Sequence, residues 1–268
     1  MKILHSIYIA GLFALLPSTS QAVVITEDFN SGYPGTAEGG WARGWIETEG
    51  SGTSLSATIS SAEPLGAGNY LTVSTTATGS NSATVNRAFD SSTGLNPADS
   101  YEISYEIRLD SAMTSGQQLL IYAATGPSST TSSFVSWSIV GDATAGWLLN
   151  NGNKAGGVTS QVSTGVSMVQ DVVYSFTVTV NPTEKTWSVS IASTAGNYSS
   201  EDTYGFRTAS ETVMESPALS FGAKPGSGNS LDFSIDSIAI SQIPEGAHMG
   251  LLMAILALGW LVRRRLVR

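Results

Sequence analysis

The chain has 268 residues, no cysteine, 12% charged residues and a formal net charge of −9. Without cysteine there is no disulfide framework, no thiolate metal ligand and no cysteine nucleophile. Charge is unevenly placed: residues 23–243 carry seven Lys and Arg against 20 Asp and Glu, a net of −13 that repels phosphate backbones and excludes nucleic acid as an expected partner.

The first 22 residues read as a secretory signal. Lys2 precedes a ten-residue run from Ile7 to Leu16, followed by Pro17 and the small polar stretch to Ala22. A basic start, a short apolar core and small residues predict cleavage by signal peptidase between Ala22 and Val23. The run is far short of the roughly 20 residues that a membrane span needs.

Residues 23–243 are long enough for one well-cored β domain. Strands are predicted at 23–29, 54–60, 69–75 and 83–89. In Tyr101-Glu-Ile-Ser-Tyr-Glu-Ile-Arg-Leu109 every odd position is apolar or aromatic and every even one is polar. That is a strand with one buried and one wet face. Further strands are predicted at 118–124, 133–140 and 146–150. The run Val172 to Val180 alternates on even numbers. After Asn181-Pro-Thr-Glu-Lys185 the pattern resumes on Trp187, Val189 and Ile191, predicting an antiparallel hairpin.

After a strand at 217–222, the final run Leu231 to Ile240 changes phase. Leu231, Phe233 and Ile235 give way to Ile238 and Ile240, so a β-bulge is predicted at Asp236-Ser237. No sustained helical period appears in 23–243. The fold class expected is all-β, a two-sheet antiparallel sandwich.

The Trp187-Ser-Val-Ser-Ile191 hairpin arm, the 101–109 strand and the closing 231–241 strand together resemble the concanavalin A-like, laminin-G-like jelly rolls. That resemblance implies two packed antiparallel sheets, one of them often sugar-facing. Lectins, glycosidases and inert spacers all use this architecture, so function has to be argued from a site.

Histidine occurs at His5, in the signal, and at His248, in the tail. Serine–histidine nucleophile systems and histidine-bound zinc are therefore excluded from 23–243. Carboxylates remain. Glu102-Ile-Ser-Tyr-Glu106 places two acids on one strand face, and Glu-x-Ser-x-Glu is similar to the Glu-x-Asp-x-Glu strand of jelly-roll β-glucanases. There the glutamates act as nucleophile and general acid. Ser104 stands where that family has aspartate. Retaining hydrolysis needs carboxyls about 5–5.5 Å apart, whereas Cα atoms four apart on a strand are ~13 Å apart. The competing reading is an ordinary solvated strand face.

A structural Ca²⁺ held by Glu27, Asp28, Asp232 and Asp236 is the metal site to test, since such sandwiches often bind this ion through oxygen ligands. None of these acids has the spacing of a calcium loop, and the alternative is plain surface acids. No other cofactor is expected. Trp41 and Trp45, in Gly39-Gly-Trp-Ala-Arg-Gly-Trp45, are the candidate sugar-stacking platforms, with a folded-in loop anchor as the alternative.

The chain closes with Ile-Pro-Glu-Gly-Ala-His-Met-Gly and an apolar run to Val262, then Arg263, Arg264, Arg265 and Arg268. Gly246 to Val262 contains no acid or fixed cation and would make a helix ~25 Å long, near the lower limit for a span. The arginines predict an inner-membrane orientation with the C-terminus inside and the β domain outside. A Pro-Glu motif, one span and a terminal arginine cluster resemble the PEP-CTERM sorting signal, whose recognition by exosortase removes the tail and passes the protein to the cell surface or exopolysaccharide matrix. Pro244 and Glu245 match the motif, and Gly246 replaces its usual second proline. A permanent membrane anchor is the alternative.

The organisation expected is a signal at 1–22, a jelly-roll ectodomain at 23–243 and a sorting tail at 244–268. The expected function is that of a non-enzymatic surface or matrix protein binding extracellular polysaccharide through a sheet face or the Trp41/Trp45 loop. The alternatives are a glycan hydrolase using Glu102 and Glu106, and a purely structural biofilm component.

Overall fold

A computed structural model describes residues 23–35, 41, 43–62, 65, 68–89, 94–125, 135–208 and 217–243. They belong to one compact unit, Val23–Ile243. The expected signal and sorting tail lie outside the described residues. No helix of the described residues is long and apolar enough to cross a membrane.

Two antiparallel sheets make up the unit. The first runs in the order β13 (Gly196–Ser199), β12 (Thr186–Ser193), β11 (Val173–Asn181), β6 (Tyr101–Leu109), β16 (Asn229–Gln242), β4 (Tyr70–Ala77), β3 (Thr53–Ser60). Two short strands join it, β1 (Val24–Glu27) on β16 and β14 (Tyr204–Gly205) on β12. The second sheet runs β10 (Val158–Ser163), β9 (Gly146–Gly152), β8 (Val135–Asp142), β7 (Gln118–Thr125), β15 (Pro217–Lys224), β5 (Ala83–Ala88), β2 (Ile46–Glu49).

Alternation dictates the first sheet. Tyr101, Ile103, Tyr105, Ile107 and Leu109 all point into the core, as do Tyr174, Phe176, Val178 and Val180 opposite them on β11. The predicted hairpin forms with Val178 facing Val189 and Val180 facing Trp187. Its turn is held by the Asn181 side chain, which accepts from the Glu184 amide at 3.0 Å, and by Lys185 in a left-handed conformation (φ 53°). Aromatic rings knit the two sheets together. Trp147 of the second sheet meets Phe176 of the first edge-on at 4.9 Å, and Phe221 of the second meets Tyr105 of the first edge-on at 5.1 Å.

The predicted bulge is present. Pairing of β16 with β6 slips between Asp236 and Ala239, and Ser237 has φ 54°. Before the slip β16 pairs with β4; after it, residues 238–241 pair with β1. The extra residue thus marks where β16 exchanges one neighbour for another while Ile235 and Ile238 both stay in the core. Four short strands were not predicted: β2, β10, β13 and β14. They are peripheral, and β10 is exposed along almost all of its length, so its sequence has no apolar period to read.

Candidate functional site

The outer face of the first sheet carries Glu102 and Glu106. Glu102 stands opposite Thr179 and Ser241, and it lines a shallow depression of about 250 Å³ together with Thr177, Ser188, Ser190 and Ser199. Glu106 is not among the residues of that depression. Its carboxylate accepts from Ser175 and Ser237 at 3.4 and 3.3 Å and lies opposite Asp236. The two glutamates are thus placed in separate surroundings on one face.

The four acids considered for calcium separate as well. Glu27 turns inward, where Arg87 donates to its Oε2 and the Phe29 amide donates to Oε1 at 2.9 Å. Asp28 accepts from the Asn30 amide at 3.1 Å and from its Nδ2 at 2.9 Å, contacts that hold its carboxyl below the usual range. Asp236 is buried beside the bulge with Oδ1 unpartnered; desolvation, helped by the neighbouring charges of Glu106 and Asp28, pushes it up to about 6. Asp232 sits four residues earlier along the same strand. Among the described residues, no group of three or more acids or histidines is arranged to hold a metal ion.

Trp41 and Trp45 correct the expectation of exposed platforms: they are 2% and 4% exposed and belong to the core. The cause is a buried ion pair. Arg87, on the inward face of β5, pairs with Glu27, donates Nε to the Arg43 carbonyl at 2.6 Å and lies 4.7 Å over the Trp41 ring. Trp45 donates its indole N–H to Glu27 at 3.2 Å, and Trp41 donates to the Thr26 carbonyl at 2.8 Å. Trp41 and Trp45 turn inward because both indoles help to satisfy and enclose that pair.

A different face draws attention. The outer surface of a two-sheet sandwich is normally half wet, and β6 follows this rule strictly. In the second sheet, by contrast, β5 is buried at every residue, and β8 and β15 at all but their last. One transverse row of that outer face runs Gln161, Asn150, Ser138, Tyr122, Ser220, Asn86 across β10, β9, β8, β7, β15 and β5. Gln161 donates to Asn150 at 3.1 Å, and Asn150 donates to Ser138 at 2.8 Å. The Tyr122 hydroxyl contacts Thr84 and Ser220. Its ring clusters with Ala124, Val135 and Leu120.

Beside this row is a cleft of about 140 Å³ whose walls include Leu120, Tyr122, Ser138, Asn150 and Arg207. Arg207 reaches the sheet because its amide donates to the Ser136 carbonyl at 2.8 Å. Two polar atoms on this face are buried without a partner, Asn86 Oδ1 and Arg207 Nε. An apolar floor, one aromatic ring and a few fixed hydrogen-bonding groups are the composition of a small-molecule site. None of these residues was singled out from sequence. One signal was legible: Gln118-Leu-Leu-Ile-Tyr-Ala-Ala-Thr125 is apolar on both faces, which a strand with a wet outer side would not be.

No protein-family model matches this chain, and no curated protein matches it in sequence. Solved structures do match its fold. A carbohydrate esterase of the Shiga toxin-encoding bacteriophage phi24B is 12% identical with a TM-score of 0.51, covering 82% of this chain and 98% of its own. The lectin UEA-II, complexed with galactose, is 12% identical with a TM-score of 0.50, covering 84% and 99%. A protein of unknown function from Shewanella oneidensis MR-1 is 15% identical with a TM-score of 0.50, covering 87% and 92%. The unit is a lectin-like jelly roll. At these identities the likeness is one of fold, and the residues of the site are this chain's own.

Proposed function

We propose that this chain is an exported, non-enzymatic carbohydrate-binding protein of the cell surface or extracellular matrix. Its binding face is the outer side of the second sheet. The observation that carries this reading is the cleft of about 140 Å³ into which the middle of the transverse row opens, lined by Leu120, Tyr122, Ser138, Asn150 and Arg207. Sugars present alternating hydroxyls and apolar ring faces, which is the chemistry such a row complements. A lectin and a carbohydrate esterase among proteins of this fold are compatible with it.

Export is proposed from the signal-like start, and sorting from the tail. Exosortase recognition of Pro244-Glu245-Gly246 would release residues beyond the motif, with the span and Arg263, Arg264, Arg265 and Arg268 holding the precursor in the inner membrane until then. Mass spectrometry of the mature protein in its host tests this. A C-terminus near Pro244–Gly246 is expected, and an intact Arg268 contradicts sorting in favour of a permanent anchor. Carbohydrate binding is tested by applying the full chain to a glycan array alongside a glucan-release assay. Retention without release is expected; release that depends on Glu106 would replace this proposal with hydrolysis.

A further inference from the structure

The domain's arginines differ in how they are used. Arg87 is paired with Glu27, and Arg108 donates to Asp110 at 2.7 Å. Arg207 is held through its main chain: its amide donates to Ser136, and its carbonyl accepts from the Gly156 amide at 2.6 Å. Its guanidinium has no ion pair among the described residues, and Nε is buried without a hydrogen-bond partner. Desolvation lowers its pKa from the usual arginine value.

This is a poor arrangement for stability. A buried donor left unmade costs about 1–3 kcal/mol, more when charged. In a domain with 20 acidic residues a carboxylate partner is easily supplied, yet among the described residues none of the cleft's walls is acidic. The guanidinium instead shares the cleft with Tyr122, Ser138 and Asn150, all neutral. A planar fork of donors in a desolvated pocket matches an anion that accepts two parallel hydrogen bonds. The domain's net negative field does not prevent this, because charges farther than about 8 Å are largely screened at physiological salt.

We propose that the cleft selects a sugar carrying an anionic group, a carboxylate or a sulfate ester, gripped by Arg207 while its ring rests beside Tyr122. This deepens the carbohydrate-binding proposal above and rests on it. The cleft, at about 140 Å³, is smaller than the roughly 300–1,000 Å³ of drug-sized sites, so it takes one charged sugar of a longer chain.

Calorimetric titration of the full-length protein tests this with three probes: trigalacturonate, its fully methyl-esterified form, and a sulfated galactan tetrasaccharide. At least one charged probe is expected to bind ten-fold or more tightly than the neutral ester. Arg207→Gln is expected to bring charged and neutral probes to the same affinity, and Arg207→Lys to give an intermediate loss, with a melting temperature no lower than the parent's in both. The tighter of the two charged probes identifies the group. Affinities for both charged probes no higher than for the neutral ester, or an Arg207→Gln protein that still prefers a charged probe, overturn the anion assignment while leaving carbohydrate binding intact. No binding of any probe, together with no retention on the glycan array, overturns both.

Discussion

The two outer faces of this sandwich are built from the same kinds of residue and are used differently. On β6 and β11 of the first sheet, Ser, Thr and Glu stand between core residues and keep their water, so their hydrogen bonding is cheap and uninformative. On the second sheet similar groups are taken out of water, so each must find a partner. Most do. Among the described residues Asn86 Oδ1 and Arg207 Nε do not, and of the two Arg207 lines the cleft. Burial, more than composition, separates a solvated surface from a prepared one.

Substitutions sharpen this contrast. The largest effect belongs to the buried charge that is partnered. Arg87→Met strands Glu27 in the core and is expected to cost about 3–5 kcal/mol in chemical denaturation. The neutral row comes next. Asn150→Ala removes the partner of both Gln161 and Ser138 and is expected to cost about 1–3 kcal/mol, while Thr177→Ala on the wet face stays within about 0.5 kcal/mol.

Asp236 tests a place where the outer face of the first sheet also buries an acid. Its folded-state value of about 6 lies above the unfolded 3.8, so between these values the native state holds the extra proton. The stability it contributes is complete below about pH 4 and is lost as pH rises through 6. Asp236→Asn is expected to flatten that part of the melting-temperature profile between pH 4 and 7. The smallest loss is expected for Arg207→Met, which removes an Nε donor buried without a partner among the described residues and so leaves stability at or above the parent's. A large destabilisation there would erase the distinction between a structural arginine and one held for a ligand.

Much of the fold was legible because period-2 alternation is imposed by a half-buried strand. The 101–109 strand, the hairpin on either side of Asn181 and the bulge at Asp236-Ser237 all follow from it. The site was not legible for the same reason in reverse. Where both faces of β7 are buried, alternation disappears, and Tyr122 looks like one more core residue. Trp41 and Trp45 misled in the opposite direction. Glycine-rich surroundings suggested exposure, but the pair they enclose, Glu27 and Arg87, is 60 residues apart in sequence and leaves no local pattern. Arg207 likewise is brought to the second sheet by a main-chain bond to Ser136, 71 residues earlier, which leaves no local pattern.

Hydrogen exchange of backbone amides, with and without a saturating amount of the oligosaccharide that the glycan array retains best, tests the central claim most directly. Added protection is expected at 120–122, 136–140 and 205–208, with β6, β11 and β12 unchanged. Protection appearing on β6, β11 and β12 while the second sheet stays as it was would place the sugar on the opposite face and contradict the account.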